Sequence, residues 1–209
     1  MSWSWVSVNG SLIWQLTRQT AYLGVVPALI GLAISVPLGV TAARWRWFSP
    51  PALAAVNVIY AIPSLALFIA LIPALGLSDT NVIVALTLFS LCIMVPNVIA
   101  GLRSVAEPVR QAATAMGYGQ LRQLVGVELP LATPVIIGGL RVAVVSSISL
   151  ASVGQLIGVS SLGYLFIDGL QRSFPTEIYV GLVLIIVLAL ACDLVLVGAR
   201  RALTPWAAR

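Results

Sequence analysis

The chain has 209 residues, of which 60% are apolar and 8% charged, with a mean hydropathy of +1.08. A soluble domain of this size cannot fold with so little polar surface, so lipid is the solvent for most of it. The net charge of +5 is carried by arginine, because the chain has neither lysine nor histidine; these arginines flank apolar stretches instead of forming one basic surface, which argues against a nucleic-acid partner.

The first 17 residues carry no basic n-region, and the first long apolar run ends in no small-residue cleavage site. The expectation is therefore a retained span and not a cleaved signal peptide. Crossing about 30 Å of hydrocarbon takes roughly 20 helical residues. Five stretches qualify, at about 21–43, 51–77, 80–102, 131–152 and 178–199, and they make residues 1–209 a single all-α transmembrane domain. Pro27, Pro37, Pro63, Pro73 and Pro96 lie in or near the ends of spans, where each removes a backbone donor and can kink its helix. Trp3, Trp5 and Trp14 near one end of the first span, and Trp45 and Trp47 at its other end, suit interfacial belts, the alternative being scattered apolar packing. Cys92 and Cys192 fall in different spans without metal-ligand spacing and read as thiols packing as small apolar groups; no metal or cofactor is expected.

Orientation follows from the arginines. With the first connection cytoplasmic, Arg44, Arg46, Arg103, Arg110, Arg122, Arg200, Arg201 and Arg209 lie inside and Arg18 and Arg172 outside. That bias puts the N-terminus outside and the C-terminus in the cytoplasm. Arg141 lies within a span and has no vote.

Two connections are too long for turns. The cytoplasmic one, 103–130, is the most polar part of the chain. Pro108 suits the first turn of a helix and Gly117 the position just past its end, framing a helix whose Val109, Ala112, Ala113 and Met116 form one apolar stripe. Leu121, Leu124 and Val125 repeat the device after the break at Gly117. So short a helix is unstable alone and must pack against something, either the bundle's own cytoplasmic surface or another subunit. The outer connection, 154–177, is apolar but interrupted by Gly154, Gly158, Ser160, Ser161 and Gly163, which fits a re-entrant or interfacial element better than a sixth span.

The run Gln111-Ala112-Ala113, then Gly117, then Val127-Glu128-Leu129-Pro130 resembles the EAA loop of binding-protein-dependent ABC importer permeases, with its spacing kept and its place before the last two spans kept. Gln111 stands where that pattern has glutamate and Val127 where it has isoleucine. The first change removes a charge while keeping a hydrogen-bonding side chain. The resemblance implies the MetI-like permease fold, and a cytoplasmic coupling helix in which Gln111, Ala112, Ala113, Gly117, Val127, Leu129 and Pro130 serve docking to a separate ATP-binding-cassette ATPase subunit. The chain agrees, since a P-loop needs a lysine and it has none.

The second span, from Asn57 to Leu67, together with Leu156-Ile157-Gly158, Leu162-Gly163 and Gly139-Leu140-Arg141, is similar to the quaternary-amine osmoprotectant subgroup of these permeases, which import glycine betaine, choline, carnitine or proline. This implies a multi-pass protein of the bacterial inner membrane, an extracytoplasmic substrate-binding protein as partner, and a second permease subunit, identical or paralogous. Asn57, Tyr60, Ser64, Asn97, Ser146, Ser149 and Gln155 either give weak polar contacts along a translocation path or make interhelical hydrogen bonds. Arg141 and Asp193 each lie on the order of 10 Å from the cytoplasmic ends of their spans, so an interhelical ion pair is expected, with a proton relay as the alternative. A secondary transporter or channel would show more intramembrane carboxylates or an internal repeat. A membrane-embedded enzyme lacks any constellation for acid–base, nucleophilic or metal catalysis here.

Overall fold

The computed structural model describes residues 4–208, which leaves Trp3 and Arg209 outside the described residues. Among those described, every regular element is helical: α1 (Ser4–Val8), α2 (Gly10–Arg44), α3 (Ser49–Tyr60), α4 (Ser64–Leu75), α5 (Asp79–Arg103), α6 (Glu107–Ala115), α7 (Gln120–Gln123), α8 (Leu129–Ala151), α9 (Gly163–Gln171) and α10 (Pro175–Leu203). A π-helical turn, Leu124–Glu128, leads into α8, a 3₁₀ segment, Ser152–Ile157, follows it, and a second, Pro205–Ala208, ends the described chain.

Four helical runs are long and apolar enough to cross a membrane. The first, α2, covers 21–43 and starts well before it, at Gly10. The run from Gln120 to Ile157 contains α8, and α5 and α10 overlie 80–102 and 178–199. The stretch 51–77, expected as one span, is made of two helices, α3 and α4, bent by 94°, and counted as one broken span it brings the crossings to five. Pro63 is the reason: it cannot donate to a preceding carbonyl, it disfavours a helical residue before it, and it caps the new helix in an extended conformation (φ −56°, ψ 134°). By contrast Pro27 and Pro37 stay inside α2, and Pro96 inside α5.

The core is α2, α5 and α8 packed on one another, with α10 against α8 and α9, and α3 and α4 against α5. Ala28, Met94, Val98, Ala132, Leu140, Val144 and Ile148 are buried at its centre. Close approach comes from a stripe along α2, where Gly24, Ala28, Gly31, Ser35, Gly39 and Ala42 are all buried. A Cβ at Gly31 would come within 2.6 Å of the Ser90 Cβ, and one at Gly24 or Gly39 would run into Ile148 or Val98.

The two ends of the bundle are tied by polar contacts. At one end Gln19 donates to the Asp79 carboxylate (2.7 Å), and the buried Thr20 hydroxyl accepts the Leu162 N–H (2.8 Å). This second bond seats the connection between α8 and α10 on α2. At the other end Arg44 donates to the Gln120 carbonyl (3.0 Å) and Arg103 to the Ala42 carbonyl (3.4 Å). Trp45 and Trp47, both exposed, stack there with ring centroids 6.5 Å apart, and at the opposite end Trp5 packs on Phe174. Neither cysteine is in a disulfide; both are half-buried, and the Cys92 thiol donates to the Val56 carbonyl.

Candidate functional site

Two regions gather most of the residues singled out by sequence: the polar loop between α5 and α8, and a cavity at the α3 end of the bend between α3 and α4.

The loop is built from its caps. Pro108 opens α6 in its first turn, and α6 closes in a Schellman arrangement, with the Tyr118 N–H on the Ala113 carbonyl (3.1 Å) and the Gly117 N–H on the Thr114 carbonyl (2.9 Å). Gly117 has φ +80°, a conformation glycine alone takes freely. After α7 the chain widens into the π-helical turn, because Pro130 withholds the N–H that the Gly126 carbonyl would ordinarily take; the Leu129 N–H instead reaches back to Leu124.

On α6 the stripe divides. Ala113 is buried, whereas Val109, Ala112 and Met116 are exposed, Met116 by 68%. Leu121 and Val125 are exposed as well, and only Leu124 turns into the core. Gln111 lines a cleft of about 670 Å³ between α6, α7 and the ends of α2 and α5. Val127, Leu129 and Pro130 are half-buried at the foot of α8.

Three residues that sequence reasoning did not single out fix this loop. Glu128, buried, accepts from Gln123 Nε2 (3.0 Å) and lies 3.9 Å from Arg110 Nε, and Arg110 donates to the Leu102 carbonyl at the end of α5 (2.6 Å). The contacts connect α6, the π-helical turn and α5. The signal was present: an acidic residue immediately before Leu129-Pro130 and a basic one on α6 are two of few charges in this chain.

The second region is a cavity of about 360 Å³ between the end of α3, α5 and α8. It brings together Tyr60, Ser146 and Ser149 and adds Phe89, Ser90 and Ser147. Asn57, exposed on α3, Ser64 at the start of α4, Asn97 and Gln155 do not line it. Asn97 turns back to the Ile93 carbonyl (2.8 Å) and packs where Gly139 leaves room. Gln155 lies in the 3₁₀ segment, its Oε1 buried without a hydrogen-bond donor among the described residues. Phe89 carried no signal, standing in an apolar run like any packing residue.

Between α8 and α10, Arg141 Nε donates to Asp193 Oδ1 and Arg141 Nη2 to Asp193 Oδ2, both at 2.6 Å, a bidentate fork. In the connection between α8 and α10 Arg172 donates to Asp168 (2.9 Å), and this hydrogen bond raises the guanidinium pKa above its ordinary value.

Residues 35–209 match the family model described as binding-protein-dependent transport system inner membrane component. Among curated relatives, the osmoprotectant import permease protein OsmW of Salmonella typhimurium is 33% identical over 94% of this chain and 94% of its own length. The choline transport system permease protein OpuBB of Bacillus subtilis is 34% identical over 96% of this chain and 92% of its own. The glycine betaine/carnitine/choline transport system permease protein OpuCD of Bacillus subtilis is 33% identical over 97% and 89%. Among solved structures, a chain of the inward-facing MetNI methionine ABC transporter superposes with a TM-score of 0.79 at 22% identity, covering 98% of this chain and all of that one. A chain of an amino acid ABC transporter gives 0.73 at 16% identity, covering 98% of each. Both share the fold. This chain belongs to the family of binding-protein-dependent transport system inner membrane components, as a multi-pass membrane subunit with the ABC permease fold.

Proposed function

We propose that the chain is the permease subunit of an ATP-driven importer for osmoprotectants of the quaternary-amine class: glycine betaine, choline or carnitine. The observation that carries the coupling half of this reading is the outward-facing stripe of α6, with Val109, Ala112 and Met116 exposed on a nine-residue helix. A helix that short does not persist by itself, and apolar side chains facing water at the end of a membrane bundle call for a receiving surface. A separate ATPase subunit supplies it, because this chain has no lysine with which to build a P-loop. Gln111 contributes a neutral hydrogen-bonding group to that contact, beside the rigid Gly117 cap. OsmW is named for osmoprotectant import, OpuBB for choline and OpuCD for glycine betaine, carnitine and choline, and this supports the substrate class.

In this reading the N-terminus is outside the bacterial inner membrane and the C-terminus is in the cytoplasm. A second permease, identical or paralogous, completes the path, and an extracytoplasmic binding protein delivers the substrate. The path uses Tyr60, Ser146 and Ser149; Asn97 and Gln155 serve helix packing. The test is co-purification with the ATPase subunit, together with uptake of radiolabelled glycine betaine and choline. Ala112→Arg places a charge on the exposed stripe without touching the core. The variant is expected to insert normally, lose the ATPase and reduce uptake to background. Undiminished association would remove α6 from the docking surface. Uptake by the wild type that follows an ion gradient and ignores ATP would overturn the importer reading.

A further inference from the structure

The cavity at the α3–α4 bend has a composition that points to one chemical class. We infer that it is a weak site for the quaternary ammonium head of the substrate, formed by the rings of Tyr60 and Phe89 and by the hydroxyls of Ser90, Ser146, Ser147 and Ser149; the inference rests on the substrate reading above and deepens it.

The location comes first. At about 1.5 Å per residue, the 12 residues of α3 end on the order of 18 Å from the bundle's cytoplasmic side, near the middle of a hydrocarbon core about 30 Å thick. There the chain stops being helical, and Ala61, Ile62 and Pro63 are exposed on this subunit. Irregular backbone at that depth is tolerated only where protein covers it or where it lines an aqueous cavity. The cavity beside it has room for a small solute and some water, about 360 Å³.

The chemistry comes second. Every polar group that lines the cavity is neutral. The C-terminal end of α3, where backbone carbonyls run out of intrahelical donors and the helix dipole is negative, opens at the same place through Tyr60. Ring faces, hydroxyl oxygens and helix-end carbonyls all present partial negative charge. A quaternary ammonium cannot donate a hydrogen bond, so cation–π and dipole attraction from such surfaces are the contacts open to it. Without a carboxylate the hold is brief, as a transported ligand requires. Ser90 and Ser147, buried with their hydroxyls 3.4 Å apart, form the inner wall of the cavity behind the exposed Tyr60 and Ser149.

The experiment uses the intact transport system in cells deficient in other quaternary-amine uptake, with radiolabelled glycine betaine and choline as probes. Tyr60 is 66% exposed in this subunit, so its variants leave the fold alone. Tyr60→Leu removes the ring and is expected to lower the maximal rate for both amines about tenfold, while KM, set by the binding protein, stays. Tyr60→Phe keeps the ring and is expected to retain most of the rate. Phe89→Leu removes the second ring from a buried position and is expected to behave like Tyr60→Leu, with assembly intact and ATP hydrolysis still stimulated by the loaded binding protein. Wild-type rates in both leucine variants would overturn the site. So would a Tyr60→Phe defect as large as that of Tyr60→Leu, because the hydroxyl and not the ring would then carry the effect. A wild-type system that imports neither amine defeats the substrate reading itself, an outcome distinct from failure of the site.

Discussion

Arg141 and Asp193 meet through two hydrogen bonds of 2.6 Å, and this fork is what a guanidinium and a carboxylate require in a low-dielectric setting. Each partner makes the other tolerable within a span, so removing one leaves a charge with no counter-ion. Asp193→Asn is therefore expected to reduce the yield of assembled subunit and uptake about tenfold, and the double exchange Arg141→Asp with Asp193→Arg is expected to restore much of both. Failure of the double exchange to improve on either single variant would assign the two residues separate roles. Depth alone suggested this partnership in the sequence, because charges within spans are scarce and each has few possible mates. The serines and Phe89 of the cavity offered no comparable signal: a serine in a span has several acceptors within its own helix, as Ser149 has in the Val145 carbonyl, and nothing in its spacing tells the packing role from the lining one.

At the scale of elements, the sequence showed helix ends and charged loops better than the way helices meet. The frame of α6 was legible because Pro108 and Gly117 have local conformational reasons for their positions, and the structure places Pro108 in the first turn and Gly117 just past the end. Pro63 marked a kink site, but the 94° of its bend was not legible, because span hydropathy is blind to direction: α3 and α4 together have the apolar length of one crossing. The stripe of α2 was also missed. Gly24, Ala28, Gly31, Ser35, Gly39 and Ala42 are residues as suitable for lipid contact as for packing, and only the neighbouring α5 and α8 give them meaning. A direct consequence follows for Gly31. Adding a Cβ there forces a 2.6 Å approach to the Ser90 Cβ, so Gly31→Val is expected to cost about 1–3 kcal/mol by overpacking. A lower unfolding temperature of the purified subunit, with α6 still able to bind the ATPase before unfolding, is the expected result. An unchanged melting temperature would mean that α2 and α5 separate more easily than this packing implies.

For the whole molecule, the helix ends sort the charges. Arg44, Arg46, Arg103, Arg110, Arg122, Arg200 and Arg201 belong to the end that carries α6, joined there only by Glu107 and Glu128. Arg18 and Arg172 belong to the opposite end, with Asp79, Asp168 and Glu177. The basic excess that the sequence assigned loop by loop thus becomes one basic end and one slightly acidic end of a single body, which is the pattern that orients a bundle with its basic end in the cytoplasm. Under the proposed orientation, that end carries the exposed stripe of α6 into the compartment that holds ATP. In a background with Cys92 and Cys192 replaced by alanine, a cysteine at exposed Ser160 is expected to react with a membrane-impermeant maleimide in intact cells. A cysteine at exposed Ala115 is expected to react only after the inner membrane is permeabilised. The reverse pattern would invert the bundle and put α6 where no ATPase could reach it; labelling of both sites in intact cells would place the outer connection and the α6 loop on one side, which an odd number of crossings between them does not allow.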